Sequence, residues 1–362
     1  MSVVHCTHNE FIQRIAQGSE TYSCVATPAT ECVVVDLAGI DWSAETRGDH
    51  SRSQPSCVVI GVHPKPASAN SALESRVPQY VDVVAQNAKD MEILVESIQT
   101  TPRACAMLVQ LLRQSLDLRI GQALWAESMA YSNLQHGAEF LRFLKNNKEQ
   151  NNKEQNKKQH TQQQLPANDA PPVLVQRTDS ELFLTLNRPD KHNAYSANMR
   201  DHLCDALEVA LWDSTIERVQ VNGAGKSFCA GGDLAEFGIA RDAAEAHLSR
   251  TSRSAGQLFH ALSDRLVVHL QGACIGAGIE LPGFAAQIVA RPDSFFQLPE
   301  VSMGLVPGAG GTASLPRRIG RLRSAWLALS GQRIDAATAL DWGLVDALDE
   351  AEINPDRSAR SG

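Results

Sequence analysis

Two glutamates lie in apolar, glycine-rich surroundings. A buried charge is unfavourable there unless it has a partner or a functional role. Glu280 lies within "GAGIELPGFAAQ" (276–287), and Glu300 directly follows Pro299 in "FFQLPEVSMGL". Two carboxylates in one partly apolar pocket can hold different protonation states, because burial and like charge raise at least one pKa. Such a pair could take a proton from one reactant and deliver one to another.

Two glycine-containing turns accompany these glutamates. The stretches are "GKSFCAGGDLAEF" (225–237) and "QGACIGAGIEL" (271–281), and each runs from a predicted strand end to a predicted helix start. Small residues let a ligand approach the backbone, and the N–H groups of a first helical turn are free to bind it. Two such turns facing each other would form an oxyanion hole. The alternative is two ordinary turns, with the glutamates as helix-start or salt-bridge residues.

The second half of the chain must position these groups, and its pattern is α/β. "ELFLTLNRP" (181–189) predicts a strand, and a helix follows from Ser196 as N-cap. Further strands are expected within 218–225, 265–272, 286–290 and 294–299, separated by helical or glycine-rich stretches. Strands that alternate with helices are typical of a layered α/β fold.

The first half differs. Two strands are predicted within 33–40 and 56–63, and residues 89–144 have helical spacing of apolar residues without chemistry of their own. The stretch "KNNKEQNNKEQNKKQHTQQQLPANDAPP" then has almost nothing apolar to bury, so residues 146–172 are predicted to be a disordered linker.

Composition excludes several classes of protein. The 362 residues carry a formal charge of −8, without the clustered Lys and Arg of a nucleic-acid-binding protein. No apolar run reaches the length of a membrane span, and the start lacks the features of a signal peptide, so a cytoplasmic protein that does not bind membranes is expected. The eight cysteines are scattered without metal-site spacing. No metal site and no redox cofactor is expected.

The order of five motifs resembles the crotonase, or enoyl-CoA hydratase/isomerase, superfamily. The motifs cover about residues 175 to 347: "NRPDKHNAYSANM", "GAGKSFCAGGDLAEF", "IGAGIELPG", "FQLPEVSMGLVPGAGGTASLPRRIG" and "ALDWGLVD". The resemblance implies the crotonase spiral of ββα units with helical decoration, a role in acyl-CoA and fatty acid metabolism, and assembly as trimers or hexamers.

The resemblance also implies roles for individual residues. The N–H groups of Gly232 and Ala277 would form the oxyanion hole for the thioester carbonyl, with Ala277 replacing the family's usual glycine. Glu300 would deliver a proton to Cα, and Glu280 would position and deprotonate a water molecule. The segments that would hold coenzyme A and the acyl group contribute Lys191, His192, Ala194, Ala230, Gly231, Asp233, Leu234 and Gly308.

Hydration of a 2-enoyl-CoA thioester, an enoyl-CoA hydratase-like lyase reaction, is therefore expected, with coenzyme A as part of the substrate. Isomerisation or thioester hydrolysis through the same enolate remains open, because a fold does not fix a reaction. A non-catalytic acyl-CoA-binding subunit also remains open.

The family's usual C-terminal helices are missing after residue 350, and residues 80–145 resemble them. The sequence therefore predicts a circular-permutant-like arrangement in which those helices, placed first, cover a catalytic core of residues 173–350. Residues 1–79 would then be a shortened crotonase-like unit. The alternative is an unrelated helical segment of incidental resemblance.

Overall fold

A computed structural model describes residues 2–16, 30–38, 55–62, 77–157, 170–240 and 242–349. Within these ranges the strands form three sheets, with four, six and three members. Most neighbouring strands are parallel, and helices connect and cover them. The predicted α/β class is confirmed.

The first sheet is built entirely from parallel strands in the order β1-β2-β3-β4. Cys32 and Val34 point to the face that joins the main core, while Val33 and Val35 point to the other face. Both faces are therefore buried, which accounts for the nearly continuous apolar run in β2. The elements are β1 (Ser2–Thr7), α1 (His8–Ala16), β2 (Thr30–Asp36), β3 (Val58–Val62) and β4 (Val83–Ala85).

Four helices follow this sheet and lie against the second half of the chain. Ser115 Oγ donates to the carbonyl of Thr312 at 2.6 Å, and Arg317 Nη2 donates to the carbonyls of Ser115 and Leu118. One continuous apolar core includes side chains from both halves. The helices are α2 (Ala88–Thr100), α3 (Pro102–Ser115), α4 (Ile120–Gln135) and α5 (Ala138–Lys157).

Helix α5 extends into the segment that was predicted to be a disordered linker. Residues 146–157 are helical, so that prediction was wrong for them, whereas residues 158–169 lie outside the described part of the chain. Lys, Glu and Gln are good helix formers, and extending an existing helix avoids the cost of nucleating one. Low apolar content therefore indicated only that this segment has little to bury.

The six-stranded sheet has the order β13-β10-β8-β7-β6-β5 and is parallel except for the β5–β6 hairpin. Strand β6 alternates between buried and half-buried positions, with Leu182, Leu184 and Leu186 inside. Helix α6 begins after Ser196, whose side chain accepts the N–H of Met199, as predicted. The elements are β5 (Val173–Thr178), β6 (Glu181–Leu186), α6 (Ala197–Trp212), β7 (Arg218–Gly223), β8 (Leu266–Leu270), β10 (Gln287–Ala290) and β13 (Ala347–Leu348).

A smaller sheet of order β12-β11-β9 runs beside the larger one. The chain passes from β8 to β9 and from β10 to β11, so successive ββ pairs contribute one strand to each sheet. The turns that follow these smaller strands carry the two glutamates. The remaining elements are α7 (Ala243–Ser252), α8 (Ala255–Ala261), β9 (Ala273–Ile275), α9 (Ala277–Glu280), β11 (Phe295–Gln297), α10 (Gly311–Ile319), α11 (Arg321–Ser330), β12 (Ile334–Asp335) and α12 (Ala336–Trp342).

None of the helices in the described ranges is both long and apolar enough to cross a membrane.

A buried ion pair ties the first sheet to the helices. Asp82 accepts Nε and Nη2 of Arg113 at 2.8 and 2.6 Å, together with the backbone N–H of Val59. Arg321 Nη1 lies 3.6 Å from the same carboxylate, and Asp82 is 1% exposed. Removing one member of such a pair is costly, because the remaining charge stays buried.

We therefore expect Asp82→Asn to lower the free energy of unfolding by about 3–5 kcal/mol, measured by urea denaturation. The control is Asp293→Asn, which removes one carboxylate from the exposed Arg291–Asp293 pair and should cost about 1 kcal/mol or less. Equal effects of the two substitutions would contradict a structural role for the buried pair.

Candidate active site

A cavity of about 280 Å³ lies between the carboxylate-bearing turns and helices α4, α7 and α8. It brings together both predicted glutamates, both predicted N–H donors and several of the predicted binding residues. The predicted residues that line it are Ala230, Gly231, Gly232, Asp233, Leu234, Ala277, Glu280, Glu300 and Gly308.

Three predicted binding residues, Lys191, His192 and Ala194, do not line this cavity. They form a turn next to it, in which the carbonyl of His192 accepts the N–H of Ala230 at 3.0 Å. Lys191 and His192 are exposed, and His192 has a left-handed φ of 50°. The turn therefore supports the cavity wall through its backbone and presents the side chains of Lys191 and His192 to solvent.

The two predicted N–H donors are positioned by glycine turns. Gly231 has a φ of 92° and Gly276 a φ of 51°, a region that other residues rarely adopt. These bends place the N–H of Gly232 and of Ala277, the first residue of α9, along the cavity wall. Neither N–H donates to another residue in the described ranges. Both are available to an oxygen atom in the cavity.

Asp233 has a structural role in the same turn. Its carboxylate pairs with Arg188 at 3.0 Å and accepts the N–H of Ala235 at 3.1 Å. Where the sequence predicts a helix start, the structure has only the short 3₁₀ turn Leu234–Glu236, and the next α-helix begins at Ala243.

Glu280 is buried at the end of α9, and its Oε2 accepts the N–H groups of Ala309 and Gly311 at 2.6 and 2.9 Å. Its pKa lies well above the ordinary value, mainly because burial disfavours the charged form. The negative charges of Glu300 and Glu127 raise that pKa further. Both backbone hydrogen bonds go to one oxygen and orient the carboxyl group. They lower its pKa, but by less than burial raises it.

Glu300 begins the 3₁₀ turn after Pro299. Its Oε2 is inaccessible to solvent and has no hydrogen-bond partner in the described part of the chain. Burial raises the pKa of Glu300 to about 8, and the charge of Glu127 contributes to the increase. At neutral pH this carboxyl group is therefore mostly protonated and can donate a proton. A Cβ at Gly276 would collide with its Oε1, so glycine is required opposite it.

A third buried glutamate, Glu127 of α4, was missed by the sequence analysis. It accepts the N–H of Gly310 at 2.7 Å, and the N–H and hydroxyl of Thr312 at 2.9 and 2.7 Å. Burial raises its pKa, while these bonds and Arg250 oppose the increase. Glu280 and Glu127 thus divide four consecutive N–H groups at the start of α10 between them, in alternation.

Helix α4 brings further residues to the cavity. "ESMAY" (127–131) places Glu127, Ser128 and Tyr131 at helical positions i, i+1 and i+4, and all three line the cavity. This spacing was the available sequence signal that the three residues share one side of the helix. Glu127 nevertheless looks like an ordinary surface charge in the sequence, because the N–H groups that it accepts at the start of α10 are distant in the chain. Helices from the first half of the chain thus cover the cavity, as the circular-permutant hypothesis requires, while the permutation itself stays a prediction.

In the described part of the chain, no cluster of three His, Cys, Asp or Glu side chains has a metal-binding arrangement.

Comparison with known proteins identifies the family. The enoyl-CoA hydratase/isomerase family matches residues 177–354. The 2,3-dehydroadipyl-CoA hydratase of Escherichia coli is 35% identical over 181 residues, which are 50% of this chain and 70% of that protein. The chain belongs to the enoyl-CoA hydratase/isomerase family. The resemblance found in the five motifs and the crotonase-like fold are thereby confirmed.

The relatives differ in the reactions for which they are named. The trans-2-decenoyl-[acyl-carrier-protein] isomerase of Streptococcus mutans is 33% identical over 47% of this chain and 66% of its own length. Among solved structures, the enoyl-CoA hydratase of Thermoplasma volcanium is 33% identical, with a TM-score of 0.45 over 50% of this chain and 72% of that one. Membership of the family therefore leaves the choice between hydration and isomerisation to the site.

The raised pKa of Glu300 predicts a pH-dependent stability. Between its ordinary pKa and about 8, the folded chain retains a proton that the unfolded chain has released. The free energy of unfolding should therefore fall as pH rises from 5 to 8, with a slope approaching about 1.4 kcal/mol per pH unit for one such proton. Glu300→Gln should flatten the decline, measured by urea denaturation at several pH values. The same slope in both proteins would contradict the raised pKa.

Glu127→Gln should lower the pKa of Glu300, because it removes a negative charge that raises it. The control is Glu139→Gln, since Glu139 is also buried and accepts the N–H groups of Arg103 and Ala104 at the start of α3. Both substitutions should destabilise the fold by about 1–3 kcal/mol. Only Glu127→Gln should move the ¹³C NMR titration of the Glu300 carboxyl to lower pH. A matching shift in both variants would contradict a direct electrostatic effect.

Proposed function

We propose that this chain is an enoyl-CoA hydratase, which adds water across the 2,3 double bond of a 2-enoyl-CoA thioester. The observation that carries the proposal is the convergence of two carboxyl groups of raised pKa and two uncommitted N–H groups on one cavity. Membership of the enoyl-CoA hydratase/isomerase family supports an acyl-CoA substrate.

The N–H groups of Gly232 and Ala277 would bind the thioester oxygen. Negative charge accumulates on this oxygen as the double bond is attacked, and donors already in place stabilise it without reorganisation. Polarising the carbonyl makes Cβ electrophilic. Ala277 serves as well as the family's usual glycine, because the contact uses only the backbone N–H.

The two glutamates would divide the proton transfers. Glu280, oriented through Oε2 by Ala309 and Gly311, would act in its ionised form, in which it can hold a water molecule and remove its proton as the water attacks Cβ. Glu300, protonated at neutral pH, would deliver a proton to Cα. The product then carries the hydroxyl group of the water and the proton from Glu300. Transfer of the other water proton from Glu280 to Glu300 would restore the starting state. Because their charges interact, the two carboxyl groups titrate together.

The neighbouring segments would bind the rest of the substrate. Lys191, His192 and Ala194 would contact coenzyme A at the exposed turn, while Ala230, Gly231 and Gly308 would contact the pantetheine and acyl parts. We also propose that the protein is cytoplasmic and forms a homo-oligomer, a trimer or hexamer. It would act in fatty acid metabolism and use no metal or redox cofactor. Exposed apolar side chains such as Trp212 and Ile239 support self-association.

The proposal is tested by following the loss of the enoyl-thioester absorbance of crotonyl-CoA and of a longer 2-enoyl-CoA. Glu280→Gln and Glu300→Gln should each lower the rate about 10²-fold or more, because each removes a group that transfers a proton. Acyl-CoA binding, measured by calorimetry with a saturated thioester, should persist in both. Binding without turnover by the wild-type protein would instead identify a non-catalytic acyl-CoA-binding subunit.

Isomerisation of the double bond is the second candidate. It is supported by a relative named as a trans-2-decenoyl-[acyl-carrier-protein] isomerase and by a protonated Glu300 that could return a proton to a dienolate. A 3-enoyl-CoA substrate distinguishes the two reactions. Formation of the conjugated 2-enoyl product from it, with crotonyl-CoA unconsumed, would replace hydration by isomerisation.

A further inference from the structure

Arg250 on α7 is a cation at the cavity wall without a carboxylate partner in the described ranges. Its guanidinium carbon lies 4.0 Å above the centre of the Tyr131 ring, and Nη2 donates to the carbonyl of Gly308. No described carboxylate lies within 4.0 Å of it. Its Nε is inaccessible to solvent and has no hydrogen-bond partner among the described residues.

The other two cavity arginines are paired. Arg253, three residues along the chain, has Asp201, Asp205 and Glu208 within ion-pair distance. Arg200 pairs with Asp201 at 2.8 Å. Of these three arginines, Arg250 is the one whose charge is not neutralised by a carboxylate among the described residues.

The nearby glutamates do not neutralise Arg250 directly. Glu127 interacts electrostatically with Arg250, but three donors at the start of α10 already occupy that carboxyl group. Glu280 and Glu300 are held towards their neutral forms by burial. A cation in such surroundings is costly without an anion, so a ligand that supplied one would gain binding free energy.

Tyr131 adds a neutral donor beside this cation. Its phenol lines the cavity and has no hydrogen-bond partner in the described part of the chain, and burial raises the pKa of Tyr131 to about 12. The hydroxyl therefore stays protonated at neutral pH. A guanidinium and a phenol together suit a carboxylate, which can accept from both.

Contacts with Gly308 define where Arg250 and Tyr131 lie in the cavity. A Cβ at Gly308 would be 2.6 Å from Tyr131 Cε2, and the next residue, Ala309, donates to Glu280. Arg250 and Tyr131 therefore adjoin the carboxyl pair, and the charges of Glu280 and Glu300 contribute to the raised pKa of Tyr131. An anion bound there would belong to the acyl group, beyond Cβ.

We propose that Arg250 and Tyr131 form a subsite for a second carboxylate on the acyl group, so that the preferred substrates are short 2-enoyl-CoA thioesters of dicarboxylic acids. This inference rests on the proposed hydration and names its substrate class. An aliphatic chain would gain no comparable contact there, because it would leave the guanidinium without a counter-charge.

The test compares kcat/KM for two matched pairs of 2-enoyl-CoA thioesters, with five and six carbons. In each pair one member ends in a methyl group and the other in a carboxylate. Both carry the same coenzyme A, so their ratio isolates the distal carboxylate. We expect the wild-type protein to favour the carboxylated member by at least about tenfold.

Arg250→Gln should lower the ratio of kcat/KM for the carboxylated substrate to kcat/KM for the methyl-ended one about 10–100-fold. Arg250→Lys should restore part of the preference, because it keeps the charge. Arg253→Gln is the control: it removes the same charge from the same wall of the cavity, and the ratio between the two substrates should not change.

Binding of adipyl-CoA and hexanoyl-CoA, measured by calorimetry, tests the subsite without catalysis. Tighter binding of adipyl-CoA that disappears in Arg250→Gln would support the subsite even if no enoyl substrate were turned over, in which case only the proposed hydration would fail. Equal turnover of both members of each pair, with equal binding of the saturated pair, would overturn the subsite and leave hydration standing. Equal loss for both substrates in Arg250→Gln would also overturn it.

Discussion

The site depends on one constraint: the first turn of α10 must satisfy its backbone N–H groups inside the protein. The N–H groups of residues 309–312 have no partner within the helix, and residues 310–312 are buried. Glu280 and Glu127 accept them alternately. Each carboxyl group is thereby held in one orientation, and the positive end of the helix dipole offsets part of the cost of burying it. The loop that carries Gly308 is held by the same bonds.

This arrangement joins the two halves of the chain. Glu280 comes from the glycine-rich turn after β9, whereas Glu127 comes from α4, more than one hundred residues earlier. Neither half would form the cavity alone, since α4 supplies one wall and the turns supply the other. Helix α4 is also packed against α10 through the main apolar core. The helices of the first half thus contribute both cover and charge to the site.

Burial determines what these carboxyl groups can do. All three have raised pKa values chiefly because solvent is excluded, and their mutual repulsion adds to the effect. Oε2 of Glu300 has no hydrogen-bond donor in the described ranges, and burial raises the pKa of Glu300 to about 8, so its proton is retained near neutral pH. Arg250 is the opposite case, a cation close to carboxyl groups whose pKa values are raised by burial. The cavity therefore places a positive group beside carboxyl groups that are hard to ionise.

The sequence alone determined the family and the α/β class, and it predicted the site residues 232, 277, 280 and 300, which line one cavity in the structure. These positions lie in short motifs whose glycines are required by the local backbone geometry. Such geometry depends on residues that are adjacent in the sequence, so it can be predicted from them. The helix from Ser196 was likewise set by its N-cap and apolar stripe. Only the tertiary structure decided the parts that join distant segments: the contact of Glu127 with α10, the unpaired Arg250 over Tyr131, and the helical course of residues 146–157. The sequence does not show whether a charged side chain is solvated or is buried and hydrogen-bonded to an N–H group. Only the packing of distant segments distinguishes these two environments.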